Sequence, residues 1–354
     1  MILKLFLYWR LGLFFIVLLA SLTVAKAQSV HLGLFTSWAQ WDGGHYLTIA
    51  SSGYKSLEDY AFFPLFPLLI KLIGTLFLGN LILSGLFISH ISFIFFLYFF
   101  YRLISLRYSK SIAFSTLVTF LVFPSSFFNV ALYSESLFLL LSILCLYFLQ
   151  KKQYFTASIF AVLASLTRFV GIVLAVSIFY SYLASHNFKL KKLNRGFAKI
   201  LIAPLGFLTY TVYLLITTGD PFRYLTAQVF WKRQLSNPLS TIYKYVWELA
   251  TLSPRPWFHY LDFATTIIFL LILILGIRKI PSSWWIFSIM VILLPASTSS
   301  LVSMSRFVLS SFGAFVILGK FLEEKPRFKI PLWGLSLLIQ ALLVVRFTSG
   351  IWTA

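Results

Sequence analysis

Charge is scarce in this sequence: only 11% of its 354 residues are Asp, Glu, Lys or Arg. A soluble domain carries roughly 25%, so a conventional water-soluble globule is excluded. Cysteine is nearly absent. The one thiol, Cys145, lies inside an apolar run, which rules out an intrachain disulfide and a Cys/His metal cluster. Acid is scarcer than base, with nine Asp and Glu against 29 Lys and Arg and a net charge of +20. That excess does not point to nucleic acid, because the basic residues gather in short loops between apolar spans. The partner this implies is membrane lipid, in particular an anionic cytoplasmic leaflet. No internal repeat is present.

Hydrophobic residues are abundant, at 60%, aromatics make up 19%, and mean hydropathy is +0.92. Apolar runs recur along the whole chain. The expectation is an all-α, polytopic transmembrane bundle of about eleven spans, some shorter than the ~20 residues usually needed, forming one membrane-embedded domain over residues 1–354. Met1 to Arg10 is a short basic start and Leu11 to Ala25 the first span. Ala25-Lys26-Ala27 resembles a signal-peptidase site; retention as an anchor is expected, with cleavage as the alternative. Residues 26–60 form a first outer loop. Residues 61–77, interrupted by Pro64, Pro67 and Gly74, read as re-entrant or interfacial.

Spans then follow over 78–101, 111–127, 136–149, 154–166, 169–184, 200–217, 263–277, 284–295, 307–318 and 331–345. Arg168 marks one outer turn and residues 297–306 another, while 219–260 make a second long outer loop. Lys189, Lys191, Lys192, Arg195 and Lys199 form the strongest cytoplasmic block. Most of the Lys and Arg fall inside, and among the acids only Glu323 and Glu324 do, so both asymmetries give one orientation.

The densest polar island is Trp41-Asp42-Gly43-Gly44-His45-Tyr46. The two glycines suit a tight turn and close approach of a substrate. Trp41 and Tyr46 suit the bilayer interface and also stack on sugar rings. Asp42 reads equally as a general base toward a hydroxyl or as a solvated loop aspartate.

That island, followed by Ile49-Ala50 with Gly53-Tyr54 and by Ala61-Phe62-Phe63-Pro64-Leu65-Phe66-Pro67, resembles the signature of the PIG-V-like mannosyltransferases, relatives of the second mannosyltransferase of GPI-anchor synthesis. The likeness continues in order through Phe123-Pro124-Ser125-Ser126, Tyr133-Ser134-Glu135-Ser136-Leu137-Phe138, Leu166-Thr167-Arg168, Gly219-Asp220-Pro221 with Gln228 and Trp231, and Ser305-Arg306-Phe307. Two positions depart from it: Gly313, where proline is expected, and Phe307, where tyrosine is usual. The resemblance implies a GT-C glycosyltransferase fold, a polyprenyl-phosphate sugar as donor, and an acidic residue of the first outer loop as base, here Asp42.

An inverting transfer from such a donor needs one base and no strong acid, because the leaving phosphate departs as an anion, unlike the alkoxide of a glycoside. It needs positive charge where the phosphate develops. Arg168 and Arg306 are the candidates, against a plain snorkelling role; Lys232, Arg233 and Arg255 compete with them. Glu135 is a substrate candidate or a helix cap. Glu58 and Asp59 would orient the acceptor, with a divalent metal as a minor alternative, since there is no Asp-x-Asp. His45 would bond Asp42 or substrate, and Gln228 and Trp231 would line the acceptor side. Phe62, Phe63 and Phe66 would wall a polyprenyl groove or face lipid.

The expected activity is transfer of mannose from polyprenyl-phosphate mannose to a lipid-linked, glycan or protein acceptor at the extracytoplasmic face. The membrane is expected to be a prokaryotic plasma membrane, or that of the endoplasmic reticulum in a eukaryote. A secondary transporter and a non-catalytic partner of another transferase are the rival readings.

Overall fold

The computed structural model describes residues 1–23, 33, 35–189 and 196–353. Ala25-Lys26-Ala27 and three members of the basic block, Lys191, Lys192 and Arg195, lie outside the described residues. Every regular element among those described is helical. Four helices are long and apolar enough to cross a membrane: Ile2–Ser21, Leu81–Ser105, Trp257–Leu275 and Pro326–Thr348. A fifth candidate, Met304–Ser310 with Phe312–Glu324, is bent by 81°. Seven further apolar helices have 10–17 residues. The protein is thus an all-helical, multi-pass membrane protein, and it divides into two compact units.

The first unit comprises Met1–Gly53, Phe66–Leu140 and Leu318–Ala354. Its helices begin where side chains satisfy otherwise orphaned amides. Asn80 accepts from the Leu83 N–H at 3.1 Å, starting Leu81–Ser105, and Ser109 accepts from the Ile112 N–H at 3.2 Å, starting Lys110–Val122. Phe93, Phe96, Phe100 and Phe120 pack together as a fully buried aromatic core. Phe347, near the end of Lys329–Thr348, sits among Trp38, Phe127, Phe128 and Tyr133. Gln340, 1% exposed, accepts from Trp9 Nε1 at 3.0 Å and donates to the carbonyls of Leu121 at 2.9 Å and Phe123 at 2.7 Å. Those carbonyls end the Lys110–Val122 helix, where no intrahelical donor remains.

Two expectations change here. Arg10 is not part of a leading loop: it lies within Ile2–Thr23, its Nε donating to His90 Nε2 at 3.0 Å and its guanidinium 4.5 Å from the Trp38 ring centroid. Nor does Pro67 interrupt its segment. It falls in the first turn of Leu65–Gly74, where a missing N–H loses no helical bond.

The second unit comprises Tyr54–Leu65 and Leu141–Ile317. Phe63, Tyr210, Leu214 and Tyr224 form its buried cluster, with Phe169 and Phe207 against it. The stretch read as the second outer loop contains an ordered helix, Pro238–Ala250, capped by Asn237 with proline at its first position. The next helix starts at Trp257, ahead of the expected Phe263, and so takes in Asp262. The helix Leu205–Thr218 lies so close to Tyr154–Thr167 that a Cβ on Gly206 would stand 2.1 Å from the Val162 carbonyl oxygen. This is the small-residue contact by which membrane helices approach one another. Gly206→Ala is therefore expected to destabilise the fold by about 1–3 kcal/mol, seen as a lower thermal midpoint of the detergent-purified variant.

Candidate functional site

Asp42 opens the helix Asp42–Ser52, and His45 follows three residues later, on the same face. The turn into this helix is not made by glycine. Trp41 carries the left-handed backbone, at φ 53°, while Gly43 and Gly44 are ordinary helical residues. Gly43 serves close packing instead: its added Cβ would meet the Leu132 carbonyl oxygen at 3.3 Å. A Cβ on Gly44 would meet nothing within 4 Å, so the backbone beside Asp42 borders open space. Asp42 and His45 are both partly exposed, and Trp41, 42% exposed, meets Trp352 edge-on at 5.1 Å.

The segment leading to Glu135 is stitched to this helix. The Leu132 N–H donates to the Trp38 carbonyl at 2.9 Å, and Tyr46 Oη donates to Ser134 Oγ at 2.6 Å. Tyr46 is thus a buried tie, packed against Phe66, and not an interface residue. Glu135, 5% exposed, is the first residue of Glu135–Gln150, where the helix dipole favours an anion. The first unit therefore gathers Trp41, Asp42, His45 and Glu135 on two bonded segments.

The remaining candidates belong to the second unit. Asp59, 2% exposed, accepts from the backbone N–H groups of Ser56 at 3.0 Å and Lys55 at 3.2 Å, and so closes its own loop. Glu58 beside it is partly exposed. Among the described residues no three His, Cys, Asp or Glu side chains come together as a metal-binding group. Trp231 meets Phe62 edge-on at 5.8 Å, and Gln228 is one turn before it in Ala227–Trp231. The expected aromatic wall is core instead: Phe62 and Phe63 are 8% and 2% exposed, and Phe66, which belongs to the first unit, is 0% exposed.

The strongest feature is a cluster of arginines. The guanidinium carbons of Arg168, Arg306 and Arg233 stand 5.3, 5.4 and 5.6 Å from the centroid of the Phe307 ring. Each arrives by a defined route. Arg168 follows the last residue of Tyr154–Thr167, and its carbonyl accepts from the Gly171 N–H at 2.9 Å. That turn folds back so tightly that a Cβ on Gly171 would come 2.5 Å from the backbone of Ala164 and Ser165. Arg233 follows Lys232, which is left-handed at φ 54°. Three residues on, the Ser236 N–H donates to the Ser297 carbonyl at 2.9 Å, and Arg233 Nη2 donates to the Val302 carbonyl at 2.7 Å. Arg306, 5% exposed, sits in the single turn Met304–Phe307.

A ring face attracts each cation, but three guanidinium groups around one ring repel one another. Such an arrangement suits a multiply charged anion, above all a phosphate held through paired N–H donors. Arg255, one of the named competitors, is spent elsewhere, on Glu248 at 2.5 Å. Arg233 had no motif to set it apart from Lys232; its place beside residues 297–302 comes only from the fold. Gly313 also has its reason: its N–H donates to Ser288 Oγ at 2.8 Å, which proline cannot do.

Residues 17–227 match the family described as mannosyltransferase (PIG-V). The match includes Asp42, Glu135 and Arg168 and stops short of Arg233 and Arg306. The chain is also 30% identical over 152 residues to the human GPI alpha-1,6-mannosyltransferase 2; this stretch is 40% of the present chain and 31% of that protein. The alignment thus spans less than a third of the human enzyme. The family match covers more than half of the chain, and the protein belongs to the PIG-V mannosyltransferase family.

Proposed function

We propose that the protein transfers mannose from polyprenyl-phosphate mannose to a hydroxyl of a lipid-linked or glycan acceptor, as an inverting GT-C enzyme working at the extracytoplasmic face of a membrane, in a prokaryote the plasma membrane. The observation that carries the reading is the three-arginine cluster around Phe307, in a family whose members are mannosyltransferases. In the proposed step Asp42 takes the proton of the acceptor hydroxyl as its oxygen bonds to the anomeric carbon. The bond from that carbon to the phosphate oxygen breaks, and its electron pair leaves with polyprenyl phosphate. Arg168, Arg233 and Arg306 stabilise the charge that develops there. His45 and Glu135 would orient the acceptor or Asp42, and Glu58, Gln228 and Trp231 remain acceptor-side candidates, while Asp59 holds the loop that carries Glu58.

The test is transfer by the purified protein in lipid nanodiscs, supplied with labelled polyprenyl-phosphate mannose and a crude lipid extract. Asp42→Asn keeps the shape and removes the base, and a loss of about 10²–10⁴-fold in rate is expected. Full activity of that variant would remove Asp42 from the chemistry, and no consumption of donor by wild type in any extract would overturn the donor. Phe307→Leu is expected to raise the donor KM about 10–100-fold, from lost cation–π attraction of roughly 0.5–1 kcal/mol for each of the arginines on the ring, and to leave the acceptor KM unchanged.

A further inference from the structure

Asp262 has no role in the chemistry above and falls between the expected outer loop 219–260 and the expected span 263–277. It lies in Trp257–Leu275 and is 0% exposed. A carboxylate so withdrawn from water needs hydrogen bonds in place of hydration. It finds them at one place: Oδ2 accepts from the Ser303 N–H at 2.9 Å and Oδ1 from the Ser305 N–H at 2.8 Å. Ser303 is left-handed, at φ 68°, and the turn Met304–Phe307 follows it directly. A left-handed residue followed by a right-handed one turns successive N–H groups into a concave anion seat. Asp262 fills that seat from a neighbouring helix.

The same loop is held at two more points. Tyr245, on Pro238–Ala250, accepts from the Leu301 N–H through its hydroxyl at 3.0 Å, and Arg233 donates to the Val302 carbonyl. Residues 301, 302, 303 and 305 are thus each fixed by a partner from outside the loop, and Arg306 is the next residue. Resting on the reading of the arginine cluster as the phosphate site, we propose that Asp262 is a positioning residue for phosphate binding: seated in the amides of Ser303 and Ser305, it aims Arg306, with Tyr245 as the second pin. An asparagine there can accept one N–H and turns its own NH₂ toward the other, so the turn would lose its shape.

The experiment titrates farnesyl phosphate, a soluble short-chain polyprenyl phosphate, into the detergent-purified chain, and records the thermal midpoint of each variant. Wild type, Asp262→Asn, Arg306→Ala, the double variant and Tyr245→Phe are compared. Asp262→Asn is expected to weaken binding about tenfold, and to have no further effect once Arg306 is already alanine, because residues acting through one another are not additive. A purely structural role would lower both backgrounds alike and would overturn the proposal. Unchanged binding would overturn it too, as would tighter binding, which would make Asp262 a mere counter-charge to the cluster. If Arg306→Ala itself binds like wild type, the phosphate reading fails and the proposal with it; if Arg306→Ala weakens binding and Asp262→Asn does not, only the proposal fails. Should Asp262→Asn not fold, Tyr245→Phe decides: a loss of about threefold supports the pinning of this loop, and unchanged affinity overturns it.

Discussion

Taking a charge out of water is unfavourable unless hydrogen bonds or opposite charge replace its hydration. This chain has few charges, yet it buries Asp59, Glu135, Asp262 and Arg306 to 5% exposure or less. Where their partners are seen, they are largely backbone amides: two for Asp59 and two for Asp262. Each of these side chains thereby ties down two amides of one loop. The acids of this protein thus do two kinds of work. Asp42 stands partly open at a helix start, while Asp59 and Asp262 are consumed in building loops.

The arginines divide in a parallel way. Arg255 is matched to Glu248, and Arg10 lies between His90 and Trp38. Arg168, Arg233 and Arg306 instead converge on one aromatic ring. Three guanidinium groups brought this close offer a phosphate several paired N–H donors at one place. Two of the three arginines, Arg233 and Arg306, lie beyond the residues that match the PIG-V family.

Much of the helical order was legible because apolar runs and basic loops alternate. The break at Arg168, the helix start at Glu135 and the loop carrying Arg306 all fall where the sequence pattern places them. What escaped was set by tertiary packing. Composition made Gly43 and Gly44 look like a turn, but the left-handed residue is Trp41. Tyr46 reads as an interface aromatic until Ser134 is found to accept its hydroxyl. Pro238–Ala250 mixes polar and apolar residues and so escaped a search for apolar runs. Asp262 was hidden because a lone acid near a loop end looks like the loop's last residue; only the earlier start of the helix at Trp257 buries it.

Gln340 and Phe347 give the first unit an unusual dependence on time. Ribosomes deliver the Asp42 helix long before residues 340–347, so Trp9 and Trp38 meet Gln340 and Phe347 only once Lys329–Thr348 has emerged. Throughout elongation the indole of Trp9 and the carbonyls of Leu121 and Phe123 must be satisfied some other way. The nascent chain therefore carries its candidate catalytic segment in an unfinished setting until Lys329–Thr348 has been made. Termination before Gln340 would leave those polar groups without the side chain that joins them, a mark by which membrane quality control can recognise an incomplete chain.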